Sequence, residues 1–176
     1  MDGGKTDNLR RTTRSRDGID DMDRKILGAL AVDATVSLSA LGSAVGLSAP
    51  AVHERVKRLR ATGVIRGTVA VLDGTQVGRP ILAFVHVDTK GWGKTQPMIA
   101  LTSLPEVEEL HSVTGDTCVI LKVRVASAQA LEGLLARIYD IDGVQSTRSY
   151  MVLSTHLERT PQAGITGDLY DGPIIR

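Results

Sequence analysis

The sequence predicts an α+β protein in which a small helical module precedes a larger module of strands and helices. Apolar residues recur at helical spacing before Gly63 and at the two-residue spacing of strands soon after it. The charge also changes along the chain. Through Leu72 there are twelve Lys or Arg against eight Asp or Glu, about +4, and beyond it nine against twelve, about −3. Such asymmetry indicates two modules with different partners, the first of them suited to a polyanion.

The composition limits the classes of protein that the chain can belong to. Its 176 residues are enough for one ordinary domain or two small ones. Hydrophobic residues make up 42% of the chain, which is enough for a core, and aromatic residues only 3%. The single cysteine, Cys118, excludes an internal disulfide and fits a cytoplasmic setting. No apolar run reaches the roughly 20 residues of a membrane span, and the four histidines lack metal-ligand spacing. We therefore expect no membrane, metal or cofactor.

The helical module, residues 19–66, follows a basic tail (residues 1–18) that either solubilises the chain or contacts a polyanion. Its first helix, IDDMDRKILGALAVD, has Asp20 as N-cap, and we expect the acids beside it to act only at the helix start. The second helix is SLSALGSAV. The third starts at Ser48 and ends before Gly63. Two short helices joined by a glycine turn predict a helix-turn-helix. Its expected inward residues are Met22, Ile26, Leu30, Leu38, Leu41, Val45, Leu47, Val52, Val56 and Leu59.

The outer face of the third helix predicts a DNA-binding surface. Small residues at its start allow close approach to a major groove, which a recognition helix enters by its N-terminal part. Basic residues follow, and we expect Arg55 and Arg58 to be dispensable for the core. A solvated basic face is the competing interpretation. The predicted contact residues are Ser48, Ala49, Pro50, His53, Glu54, Arg55, Lys57 and Arg58.

The second module begins after a hinge, residues 67–79, and extends over residues 80–159. VIRGTVAVLD alternates and predicts a strand that leads into the hinge. Strand and helix patterns then follow in the order β-α-β-β-α-β, with PILAFVHVDTK as the first strand and VQSTRSYMVLSTHL as the last. This order predicts a ferredoxin-like sheet with one face covered by helices. Apolar residues expected on the open face predict self-association: Leu82, Phe84 and Leu121.

Both modules contain short motifs in a fixed order. The first module has ID-x-x-D-x-x-IL-x-x-L, GLS-x-x-x-V-x-x-RVKRL and GVI-x-G, and the second has VTGD and GV-x-x-T-x-S. In this order and spacing they resemble the leucine-responsive regulator/AsnC family of transcription factors. The resemblance implies a winged-helix-like DNA-binding domain and an effector domain that dimerises through its sheet. It also implies higher even oligomers and a small effector, usually an amino acid. Residues 160–176 extend past the family's usual end and predict a tail.

The resemblance places the effector near a glycine turn of the second module. Cys118 stands where the family usually has an acid, so an ammonium group loses its usual partner and Asp116 is the remaining candidate. Cys118 is itself either a buried thiol or a redox site, and a plain β-turn is the competing interpretation of the whole segment. The expected effector-binding residues are Gly115, Asp116, Thr117, Cys118, Thr147 and Ser149.

Together these features predict a sequence-specific transcriptional regulator without catalytic residues. It would bind operator DNA and respond to a small metabolite, an amino acid or a related compound. Two alternatives stay open. The same architecture resembles some tetrapyrrole decarboxylases, and a purely structural oligomerisation module is also conceivable. The basic start of the third helix favours the regulator, because neither alternative needs it.

Overall fold

The structure of the chain, a computed structural model, describes residues 18–90 and 96–164. The first 17 residues and the last 12, which belong to the two expected tails, lie outside the described residues. The chain divides into two compact units, one up to Val69 together with the segment from Arg159, the other Ala70–Glu158. Within the described ranges, no helix combines the length and apolarity that a bilayer crossing requires.

Three helices form the first unit: α1 (Asp21–Val32), α2 (Leu38–Val45) and α3 (Ala49–Ala61). Each begins after the N-cap residue that the sequence predicts. The cap side chain accepts a hydrogen bond from the backbone N–H three residues on, at 2.7–3.4 Å. Because that N–H has no partner within its helix, the contact fixes where the helix starts. The confirmed caps are Asp20, Ser37 and Ser48.

The turn between α2 and α3 depends on two glycines. Gly46 ends α2 with a φ of 75°, in the left-handed region that favours glycine. Gly42 is buried on α2, and a Cβ there would lie 2.5 Å from the carbonyl oxygen of Leu47. The sequence predicts the glycine turn but not the role of Gly42, because the requirement for glycine there arises from a contact across the turn.

A small apolar core joins the three helices. Ile26, Leu41, Val52 and Val56 are buried, and Leu47 packs against them as predicted. Leu38 was expected to face inward, but it is 37% exposed. It is the first residue of α2, whereas the buried contacts come from the later turns of that helix.

The second unit is a four-stranded antiparallel sheet in the order β2-β3-β1-β4. Its strands are β1 (Ile81–Thr89), β2 (Val107–Ser112), β3 (Val119–Val125) and β4 (Val144–Met151), and its helices are α4 (Gln96–Thr102) and α5 (Ala128–Tyr139). This is the predicted βαββαβ order. Val85 and Val87 of β1 pack in one core with Leu101 of α4 and Leu134 of α5. Both helices therefore cover the same face of the sheet.

The prediction that Leu121 lies on the open face of the sheet is wrong. Leu121 was expected among the apolar residues that the helices leave uncovered, but it is fully buried in the core of the second unit. Residues directly opposite in an antiparallel pair share a face. Leu121 is paired with Val85, so it lies on the helix-covered side.

Two predicted strands differ from the structure. Residues 64–73 form no strand among the described residues, and Val69 and Val71 are 85% and 91% exposed. An alternating pattern needs a neighbouring strand to pair with, and residues 18–90 and 96–164 provide none for this segment. The last strand was expected to reach residue 157 but ends at Met151. There Met151 pairs with Ala83, near the start of β1, so little of β1 remains to pair with.

Candidate nucleic-acid interface and effector cavity

The outer face of α3 is open to solvent along its length. Its predicted contact residues are exposed except for two half-buried ones, Ala49 and Arg55. Val52, Val56 and Leu59 hold the opposite side in the core. Ser48 uses a hydroxyl lone pair for the cap, which leaves its O–H free to donate. The helix can therefore present its N-terminal half without losing core packing.

Arg55 and Arg58 reach across to the start of α1. Arg55 Nη1 lies 2.7 Å from Asp20 Oδ2 and 2.8 Å from Asp23 Oδ1, and Arg58 Nη2 lies 2.5 Å from Asp23 Oδ2. The hydrogen bond to Asp20, followed by the one to Asp23, raises the pKa of Arg55. Burial opposes ionisation of Asp20, but the Arg55 contact and backbone hydrogen bonding outweigh it and lower its pKa.

This pairing corrects two expectations. Asp23 does more than start α1, because its side chain is fully buried and carries both arginines. Arg55 and Arg58 also contribute to the fold, because removing them would leave the buried carboxylate of Asp23 with fewer partners. Asp23, Ile26 and Leu30 stand at helical spacing, so the sequence did contain a signal that Asp23 faces inward.

Lys57 and Arg60 differ from those two arginines. Both are exposed, and within the described part of the chain neither has an acidic group within 4.0 Å. They remain available for an external anion.

A cavity of about 350 Å³ lies where β1 ends and the turn between β2 and β3 passes. Gly115 adopts a φ of 139° in that turn, and a Cβ there would meet no atom within 4 Å. The glycine is therefore required by its backbone conformation and not by crowding. The residues that line the cavity are Asp88, Val113, Thr114, Gly115, Asp116, Thr117 and Cys118.

Sequence reasoning missed three of the residues that line the cavity, namely Val113, Thr114 and the charged residue Asp88. Asp88 accepts a hydrogen bond from the Ser146 hydroxyl at 2.5 Å, and Arg148 lies 3.7 Å away. The Ser146 contact is the main reason that the pKa of Asp88 lies below its ordinary value, so the group is a carboxylate at neutral pH. Asp88 lies near the end of β1, and the strand pairing brings it beside the turn between β2 and β3. The sequence alone does not show this pairing.

The six expected effector residues do not all meet at this cavity. Four of them line it, but Thr147 and Ser149 do not. They pair with Val87 and Val85 on the face that the helices cover. Thr117 is buried, and its hydroxyl lies 3.3 Å from the carbonyl oxygen of Val87. Cys118 is half-buried, with its sulfur 3.9 Å from the carbonyl oxygen of Thr89.

The open face of the sheet combines aromatic and charged side chains. Phe84 and Tyr150 lie opposite each other in register and are 40% and 55% exposed. The rings of His86 and Tyr150 are 4.9 Å apart. On β3, Lys122 contacts Glu109 at 3.4 Å and also pairs with Glu158, so the segment after β4 reaches this face.

Comparison with known proteins gives both units the same relatives. Residues 19–60 match the AsnC-type helix-turn-helix domain, and residues 82–162 match the Lrp/AsnC ligand binding domain. The HTH-type transcriptional regulator FL11 of Pyrococcus furiosus is 34% identical over 142 residues, which are 81% of this chain and 94% of the relative.

Solved structures agree with these matches. An AsnC family transcriptional regulator from Agrobacterium tumefaciens superposes with a TM-score of 0.77 at 27% identity, over 81% of this chain and 95% of that one. The feast or famine regulatory protein of Mycobacterium tuberculosis, solved with L-methionine, gives 0.73 at 40% identity, over 79% and 95%. The helix-turn-helix, the ferredoxin-like sheet and these matches together show that the chain belongs to the Lrp/AsnC family of helix-turn-helix transcriptional regulators.

Proposed function

We propose that the chain reads operator DNA in a sequence-specific way with the N-terminal half of α3. The observation that carries this proposal is a capped helix-turn-helix whose third helix exposes small residues first and then His53 and Lys57. Such a helix can enter a major groove, with Ser48 and His53 at base edges and Lys57 at a phosphate. The rest of the proposed surface is Ala49, Pro50, Glu54, Arg55 and Arg58.

The salt dependence of DNA binding tests the role of Lys57. A site is first selected from a random duplex library, and affinity is then measured over a range of salt concentrations. Because one phosphate contact contributes about 0.9 to the slope of log affinity against log salt, Lys57→Ala should lower that slope by about 0.9. Lys25→Ala is the matched control, since Lys25 is also exposed but lies on α1. Equal slopes for wild type and Lys57→Ala would contradict the assignment.

The effector is proposed to be an amino acid or a related compound that binds at the cavity beside Gly115. The L-methionine complex of the mycobacterial relative supports this ligand class. Asp88 supplies the carboxylate that Cys118 lacks, and the backbone N–H groups of the turn can hold the ligand's carboxylate. A thermal-shift screen of amino acids and keto acids identifies the ligand. Loss of the shift in Asp88→Asn, with operator binding retained, is the result this site requires.

The assembly is proposed to be a homodimer that associates further into even oligomers. Two apolar features support it: the exposed pair Phe84 and Tyr150, and the exposed segment around Val69 and Val71, which pairs with no strand among the residues that the structure describes. A second copy could cover both. Such a two-fold assembly would bind roughly palindromic operators in the cytoplasm.

The enzyme alternative is less well supported. The relatives are named as transcriptional regulators, and a tetrapyrrole decarboxylase would not need a helix that exposes small residues first and then His53 and Lys57. A visible absorbance band from a tetrapyrrole in the purified protein would favour the enzyme. The regulator requires instead that operator binding be saturable and specific.

A further inference from the structure

We propose that Asp23 is a positioning residue of the DNA interface. It neutralises Arg55 and Arg58, so that Lys57 and Arg60 supply the phosphate contacts of α3. This inference rests on the proposed DNA-binding function and assigns the charges within that site. It also gives the two arginines a different role from the one that the residue pattern predicts.

Asp23 is a buried carboxylate with charged partners. Its side chain is fully buried, yet it stands on the helix that packs beside the recognition helix. A buried carboxylate is tolerated only when charged partners and hydrogen bonds compensate it. Asp23 has three such partners. Arg55 and Arg58 each donate to one of its oxygens, and the backbone N–H of Asp20 donates at 3.1 Å.

The charges of Asp23, Asp20 and the two arginines cancel. Arg55 and Arg58 carry two positive charges, and Asp20 and Asp23 carry two negative ones, so the four groups together are neutral. A neutral cluster releases few counterions when it approaches a polyanion. The basic run of α3 is therefore less basic toward DNA than its sequence indicates.

The other two cations of α3 have a different environment. Lys57 and Arg60 are exposed, and among the described residues no carboxylate lies within 4.0 Å of either. Arg58 is 48% exposed and Arg55 30%, but a guanidinium held by a buried carboxylate has a fixed position. The two arginines thus orient α3 on α1, and the unpaired cations meet the phosphates.

The experiment measures the salt slope of binding by the full-length protein to a duplex of random sequence. Arg58→Gln should leave the slope unchanged, because the slope counts the cations that contact phosphates and Arg58 is not one of them, while Arg55 still holds Asp23. Lys57→Gln should lower the slope by about 0.9. The loss of affinity between 50 and 200 mM salt should then be about threefold smaller for this variant than for wild type. Asp23→Asn keeps the side-chain shape but frees one positive charge, and should steepen the slope by up to about 0.9. Circular dichroism checks that each variant is folded.

Several outcomes decide the proposal. A loss of slope in Arg58→Gln as large as that in Lys57→Gln would overturn it, as would a folded Asp23→Asn with the wild-type slope. If Asp23→Asn does not fold, the comparison of Arg58→Gln with Lys57→Gln still decides. A wild-type protein that binds no duplex would instead refute the DNA-binding function itself, so the two failures are distinguishable.

Discussion

At the scale of single residues, Gly42 meets a strict steric requirement set by the backbone across the turn. A Cβ at this position would lie 2.5 Å from the carbonyl oxygen of Leu47, so Gly42→Ala must push the turn away from α2. We expect a loss of about 1–3 kcal/mol in the free energy of unfolding, as for other overpacked sites. Gly28→Ala in α1 is the control. No atom lies within 4 Å of its Cβ position, and alanine there should gain up to about 1 kcal/mol. Urea unfolding followed by the helical signal separates the two, and a Gly42→Ala protein as stable as wild type would contradict the packing.

Residues with local roles are the ones that the sequence predicts best. Ser37 and Ser48 cap their helices through a contact three residues away, which sequence spacing shows directly. Asp23 and Asp88 acquire their roles from partners 32 and 58 residues distant. Such contacts depend on how helices and strands pack; the helical spacing indicates that Asp23 faces inward, but it does not identify the residues that Asp23 contacts.

At the scale of elements, the contact between α1 and α3 should depend on pH through Asp20. Its pKa is lowered in the folded state, so its contribution to stability is present above the unfolded value of about 3.9 and is lost as the pH falls through the folded value. Asn is as good an N-cap as Asp but cannot pair with Arg55 as an ion. Asp20→Asn should therefore lower Tm most at neutral pH, and this difference should shrink as the pH falls through the folded-state pKa of Asp20. A difference in Tm that stays constant over this range would contradict the ion pair.

The elements also show where an amphipathic pattern is insufficient. The alternation in β1 indicates that Val85 and Val87 share one face of a strand, and the strand forms because β3 and β4 flank it on both sides. The alternation in residues 64–73 is equally regular, but no strand lies beside it in the described chain. An alternating apolar pattern indicates which residues would share one face of a strand, but the strand forms only where another strand can pair with it.

At the scale of the whole molecule, association through the open sheet face can be tested with two matched tyrosines. Tyr150 is 55% exposed on the open face, and Tyr139 is 52% exposed on α5, in the helical layer. Tyr150→Glu would bury a charge in the proposed interface and should shift the dimer toward monomer, whereas Tyr139→Glu should not. Light scattering across a concentration series measures this. Equal masses for both variants would place the interface elsewhere.

The whole-molecule account also requires the two units to act together. Ligand bound at the Gly115 cavity must change the affinity for operator, and by linkage operator must change the affinity for ligand by the same factor. Gly115→Val should abolish this response but spare operator binding, because valine disfavours the φ of 139° that the turn requires.

The most direct test is therefore a titration of operator DNA with wild type and Gly115→Val, each with and without the ligand found by screening. We predict that the ligand changes the wild-type Kd by about 5- to 150-fold and leaves that of the variant unchanged. A wild-type Kd that is the same with and without saturating ligand would contradict a metabolite-responsive regulator.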